Sequence, residues 1–234
     1  MNEAMKTELD LFENATNWKS YWASFLSEFI HGDVLEVGAG TGGNLRHLYR
    51  PTVDSWVCVE PDSELIASLQ TSIDGLAAEF SGHIVHGTIR DLPDAALFDA
   101  IFYIDVIEHI EDDREELELA ARRLKPGGQL IILVPAHNWL FSPFDASMGH
   151  YRRYTQRSLR DVIPTHLVRK QLIYLDSVGM LASLANRLIL RSSTPTAKQI
   201  NTWDKRIVPV SKIIDPITGH RLGKTVVGIW ENIP

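Results

Sequence analysis

The stretch Val34–Gly43, VLEVGAGTGG, decides how this chain folds. Val34, Leu35 and Val37 form an apolar run, and glycines crowd behind it. Such a run reads as a buried strand that breaks into a tight turn. Two patterns overlap on it. Gly38, Gly40 and Gly43 stand at GxGxxG spacing, the dinucleotide pattern that sets a ligand over a glycine turn between a strand and a helix. Glu36, Gly38, Gly40 and Gly42 stand at ExGxGxG spacing, with an acid two residues before the first glycine. The glycines alone do not choose between them.

Working outward, apolar strand-like runs alternate with helical periodicity. Trp18, Trp22, Phe25, Phe29 and Ile30 recur at helical spacing and predict an amphipathic helix over 17–31. SWVCVE (55–60), HIVHGTI (83–89), FDAIFYID (98–105) and QLIILVPA (129–136) read as further strands, with helices SELIASLQTSI (63–73) and EDDREELELAARRL (111–124) between them. The KPGG that follows (125–128) places glycine where a chain leaves a helix. Strands alternating with helices predict a parallel sheet covered on both faces. After the fifth strand the pattern loosens. HNWLFSPFDASMGHYRRY (137–154) is a long loop, TQRSLRDVI (155–163) a helix, LVRKQLIYL (167–175) a strand, and TVVGIWE (225–231) the last one. Between those last two strands lies an insert. VGMLASLANRLIL puts Leu181, Leu184, Ala185 and Leu188 on one helical face, and NTWDKRIVPVSKIID is a second helix broken or kinked at Pro209.

Composition sets bounds. A chain of 234 residues with 44% hydrophobic content suffices for one large domain with an appended lid. Cys58 is the only cysteine, so no intramolecular disulfide and no cysteine metal cluster can form. A cytoplasmic location fits. The amino-terminal stretch has acids and no apolar run of signal-peptide length, and no segment approaches a membrane span. A net charge of −7 argues against general nucleic-acid binding.

Of two carboxylates beside the glycine turn, one separates its readings. Glu60 ends the second strand, where it can accept from ribose hydroxyls under either reading. Glu36 can reach the ammonium of a methionine moiety, whereas a pyrophosphate site has no use for an anion there. LFDAIFYIDVIEHIEDD followed by LKPGGQLIILVP completes a set of four ordered motifs from Trp18 to Pro135. The set resembles the class I S-adenosylmethionine-dependent methyltransferases. The resemblance implies a Rossmann-like, doubly wound α/β sheet of seven strands, mostly parallel with an antiparallel last strand. It implies an S-adenosylmethionine-binding core over 32–177, cap helices over 1–31, a helical lid over 178–224 and the last core strand over 225–234. Carried over by position, Glu36, Gly38, Gly40 and Asn44 surround the methionine part. Glu60 holds the ribose with Pro61 behind the adenine, Thr88 and Ile89 flank the adenine edge, and Asp105 and Val106 line the site. Thr88 stands where many members carry aspartate. The loop VPAHNWLFSPFDASMGHYRRYT looks like a branch with a GHYRRYT signature that acts on small molecules.

The expected reaction is in-line methyl transfer to a small hydrophobic or aromatic acceptor, at oxygen, nitrogen or carbon, with no metal and no nucleic acid. A lipid-linked acceptor at a membrane surface, without stable insertion, and a cofactor-binding module without turnover are the alternatives. A monomer or homodimer is expected. His150 is the expected base or substrate-orienting group, Asp145 its partner and His137 its competitor, since imidazole takes a proton near neutral pH. Tyr21, Trp139, Tyr154 and Trp203 are the expected acceptor contacts. His109, between apolar neighbours, reads as a structural histidine.

Overall fold

The computed structural model describes residues 11–76, 80–185 and 195–233. Its centre is a seven-stranded sheet: β1 (Gly32–Val37), β2 (Val53–Glu60), β3 (Gly82–His86), β4 (Phe98–Ile104), β5 (Leu124–Pro135), β6 (Leu167–Leu175) and β7 (Thr225–Asn232). The spatial order is β3-β2-β1-β4-β5-β7-β6, with β7 antiparallel to both of its neighbours and the remaining pairs parallel. Around it run α1 (Thr16–Leu26), α2 (Leu45–Leu48), α3 (Ser63–Asp74), α4 (Asp113–Arg122), α5 (Pro143–Ser147), α6 (Gln156–Val162), α7 (Ser177–Ala185), α8 (Ala197–Thr202) and α9 (Val208–Ile217).

The strands are apolar throughout because both faces are covered. Val34 and Leu35 are adjacent and fully buried, yet Val34 joins one core and Leu35 the other. Alternate side chains of a strand point to opposite faces, so only a residue run apolar at every position satisfies both. The first core takes Trp18, Trp22 and Leu26 of α1 against Trp56 and Phe102; the second takes Leu117 and Ala121 of α4 against Tyr103 and Leu130. The strand order reverses between β1 and β4, and ligands of open parallel sheets bind at that crevice, beyond the carboxyl ends.

Several local expectations are corrected. Lys125–Gly128 do not follow a helix end. The helix stops at Arg122, and the KPGG residues lie inside β5. Phe98 pairs with Leu124 while Ala100 pairs with Gln129, so the intervening residues bulge out of the ladder, and Gly127 supplies the φ of +82° that the bend needs. The bulge has an electrostatic tie: Lys125 Nζ lies 2.7 Å from both Asp33 and Asp99. The amino-terminal helix is shorter than 17–31; α1 ends at Leu26 and a 3₁₀ turn, Ser27–Phe29, follows. In the insert, helix continues from α8 through a π turn, Trp203–Ile207, into α9. The π turn ends two residues before Pro209, whose missing N–H interrupts the helical ladder where the helix changes register. Leu188 lies outside the described residues.

Candidate functional site

The turn after β1 is built by close approach. Gly38 has a φ of +70°, and a Cβ there would stand 2.6 Å from Val106 Cγ2, so only glycine lets the turn pass the segment after β4. Gly38 and Ala39 both donate to the Val59 carbonyl, at 2.8 and 3.1 Å. Glu60, at the end of β2, spans the turn: its carboxylate accepts from Gly40 N at 2.8 Å and Asp62 N at 2.9 Å. Burial raises its carboxyl above the ordinary range against those two bonds. Glu36 is buried behind the turn, where it accepts from Asn44 Nδ2 at 3.0 Å and Trp56 Nε1 at 3.1 Å. Burial pushes its carboxyl up to about 7. Thr88 caps the turn Ile89–Asp91, its hydroxyl bonded to Asp91 at 3.0 Å. Asp105 holds a φ of +53° at the end of β4, a strained setting of the kind that clusters at functional sites. Desolvation raises its carboxyl, while the charges of His150, Lys19, Lys224 and Arg153 pull it back.

The loop after β5 folds back over this edge. Asp145, in α5, is its hub and is buried. It accepts from Ser142 N and Oγ at 2.8 and 2.7 Å, from Arg153 Nε at 2.7 Å, and pairs with His150 Nδ1 at 3.1 Å. Burial alone would raise this carboxyl; the bonds from His150 and Arg153 outweigh it and hold the group below the usual carboxylate range. Tyr151 N donates to the Glu108 carbonyl at 2.8 Å, which docks the loop on the 3₁₀ turn Ile107–His109. The His109 and His150 rings then meet edge to face, centroids 4.4 Å apart. Burial lowers His109 to about 4.

One cavity of about 780 Å³ joins the two halves. Gly38, Gly40, Asn44, Glu60, Pro61, Thr88, Ile89, Asp105, Val106, Asp145, His150 and Trp203 all line it. Glu36 stands one layer behind, reaching the wall through Asn44. Four other expected residues lie elsewhere. His137 has a φ of +65° that turns it away: its Nε2 meets the Gly223 carbonyl at 3.1 Å, and its ring stacks between Trp139 and Tyr174. Trp139 is 46% exposed on that outer stack. Tyr154 is buried with its hydroxyl 2.6 Å from Asp113, and Tyr21 donates to Asp215 at 2.9 Å; both serve packing. The cavity also holds residues the sequence did not single out, Lys19, Glu108, Phe144 and Lys224, together with His109, which the sequence reads as structural. Lys224 lies 3.9 Å over the Trp203 ring and 3.4 Å from Asp176. Lys19 follows Trp18 on α1, and Lys224 precedes β7; nothing local to either marks it.

The residues fit S-adenosylmethionine. The glycine turn leaves the backbone open where a Cβ would fill the space, and Glu60 reaches across that turn. Asn44 and Asp105 supply polar groups at the sheet's switch point, where a cationic ligand meets carboxylates rather than phosphate-binding groups.

Comparison with known proteins agrees. A family profile described as a methyltransferase domain matches residues 15–177. A tRNA U34 carboxymethyltransferase of Aliivibrio salmonicida is 22% identical over 91% of this chain and 66% of its own length. One from Aeromonas salmonicida is 25% identical over 50% of this chain and 38% of its own length. The chain thus spans less than two thirds of these relatives. Among solved structures, a Haloferax volcanii methyltransferase in complex with the Trm112 methyltransferase activator superposes with a TM-score of 0.66 at 17% identity, covering 100% of this chain and 99% of that one. The N-methyltransferase NodS of Bradyrhizobium japonicum, in complex with S-adenosylhomocysteine, gives 0.55 at 14% identity over 94% and 87%.

These findings correct the expected acceptor and partners. The matched relatives are named for action on tRNA, which overturns the small hydrophobic acceptor, its lipid-linked alternative and the absence of nucleic acid. The Haloferax structure is a complex with a protein activator, a partnership of that protein; at 17% identity its likeness to this chain is one of fold. The methyltransferase family also displaces the module without turnover. Among the described residues, no helix is long and apolar enough to cross a membrane.

Proposed function

The chain belongs to the methyltransferase-domain family and uses S-adenosylmethionine, and from that premise we propose that it transfers the cofactor's one-carbon group to a nucleotide base of an RNA acceptor of the tRNA class. The observation that carries this reading is the make-up of this cavity. Trp18, Trp22, Phe144 and Trp203 line it together with the cations Lys19, Arg153 and Lys224. Aromatic faces stack on an extruded base, and cations suit the phosphates around it. Local charge at the site, and not the chain's net −7, governs such an encounter.

When bound, the sulfonium of the cofactor supplies an electrophilic methyl group. The chain supplies alignment. Glu60 and the glycine turn hold the nucleoside end, while Glu36, acting through Asn44, faces the ammonium end. Asp145 orients His150 through Nδ1, so His150 Nε2 is presented toward the acceptor, where it orients an acceptor N–H or O–H or takes its proton. The GHYRRY loop forms this wall. Helix α1 and the insert residues around Asp204 close the opposite side, Asp204 accepting from Trp18 N at 2.9 Å.

Incubation of the full chain with isotopically labelled cofactor and bulk tRNA tests the reading, with nucleoside mass spectrometry of the product. The expected result is label in one modified nucleoside whose mass has risen by one methyl group in place of one hydrogen. Turnover of the cofactor with no label in any tRNA nucleoside would overturn it.

A further inference from the structure

We propose that Glu108, His109 and His150 form a divalent metal site on the acceptor side of the cavity, taking an ion of the Zn²⁺ class. Each of the three residues offers one ligand atom, and those atoms lie within 4.8 Å of one another. Ligands held 2.0–2.2 Å from one ion stand roughly 3.5 Å apart, so small side-chain rotations close the set. Two imidazoles and one carboxylate form a donor set that zinc-class ions take in open sites, with further positions left for water or substrate.

The surroundings of the imidazoles carry the inference further. A metal-binding histidine commonly gives its other ring N–H to a carboxylate or a backbone carbonyl, which fixes the tautomer and the ring plane. His150 is held in that way: its Nδ1 meets Asp145 Oδ1 at 3.1 Å. The His109 ring meets the His150 ring edge to face, centroids 4.4 Å apart, so the two imidazoles fix each other's place. Nδ1 of His150 is therefore spoken for, which leaves its Nε2 for a ligand. The backbone is equally fixed. Tyr151 N holds the Glu108 carbonyl at 2.8 Å, which joins the two distant segments that carry the ligands, and His150 N holds the Asp145 carbonyl at 3.0 Å within the loop.

All three residues line the cavity, so the remaining coordination positions open into it. That these positions face the acceptor rests on the reading above; binding of the ion does not. With the ion bound, His150 Nε2 is its ligand, and an acceptor oxygen is held by the metal in place of the imidazole.

The test uses the full chain, stripped with chelator and saturated with S-adenosylhomocysteine, titrated with Zn²⁺ alone by calorimetry. One equivalent is expected to bind. Glu108→Gln and His150→Ala should each weaken it at least tenfold. Asp145→Asn, which touches no ion, should weaken it about 10–100-fold by freeing the His150 ring. His166→Ala, at an exposed position, should leave it unchanged. Retained binding of S-adenosylhomocysteine checks that each variant is folded. Nitrogen NMR of the wild-type imidazoles gives a second readout that needs no variant: Zn²⁺ should shift the ring resonances of His109 and His150 together. Absence of stoichiometric binding, equal affinity in every variant, or shifts confined to other histidines would overturn the site. None of these outcomes depends on whether RNA is the acceptor.

Discussion

At the scale of single residues, Glu36, Glu60 and His150 make separable forecasts. The folded Glu36 carboxyl ionises at about 7 because it is buried, whereas the unfolded one ionises in the ordinary range. A group raised in this way favours folding fully below its unfolded value, and that contribution is lost as pH climbs between the two. The cofactor's ammonium favours the carboxylate. Binding should therefore expel a proton at about pH 6, and affinity should climb with pH and level off at about 7. Calorimetry in two buffers of different ionisation enthalpy reads that proton; release that persists in Glu36→Gln would assign it to another group. Glu60→Ala should lower affinity for S-adenosylhomocysteine at least tenfold, since hydrogen bonds to a charged group are worth about 1.5–3 kcal/mol each. An unaltered affinity in the folded variant would place the ribose elsewhere. His150→Ala should lower kcat by about a hundredfold with cofactor affinity intact. A raised KM with kcat preserved would instead make the loop a clasp.

At the scale of elements, the insert is tied to the sheet and to α1 by buried carboxylates. Asp215, in α9, accepts from Tyr21 of α1 at 2.9 Å, from the backbone N–H groups of Asp176 and Ser177 at 2.7 and 3.0 Å, and from the Ser177 hydroxyl. Asp176 in turn accepts from Trp203 Nε1 at 2.7 Å and Ser211 Oγ at 2.6 Å. Replacing Asp215 by alanine leaves several buried donors unsatisfied, at about 1–3 kcal/mol each. Asp215→Ala should thus lose about 3 kcal/mol or more in urea denaturation, and hydrogen exchange should rise first in α7 and α9. Uniform exchange across the chain would show that the insert does not open by itself. The helical period made these helices visible in the sequence, but nothing in it announced that three aspartates would be buried between them. Asp176, Asp204 and Asp215 look like surface acids until distant donors converge on them.

At the scale of the whole molecule, cofactor class decides the stability response. A ligand that binds only the folded chain stabilises it by about 2.7 kcal/mol at a hundred times its dissociation constant. S-adenosylhomocysteine should raise the melting temperature accordingly and NAD should not; the reverse order would return the glycine turn to its dinucleotide reading. The sequence by itself determined the parallel sheet, its strand segments, the glycine turn and the carboxylates at the ends of β1 and β2. Those features are local: an apolar run, a period and a turn residue act within a few neighbours. Only the tertiary structure decided that His137 points away while His150 points in. One backbone dihedral after β5 and the docking of Tyr151 on Glu108 set those directions. It likewise decided that His109, a core histidine by its neighbours, meets His150, and that Lys19 and Lys224 from opposite ends of the chain line one cavity. Contacts between segments far apart in sequence carry no period and no spacing, so they exist as information only once the chain has folded.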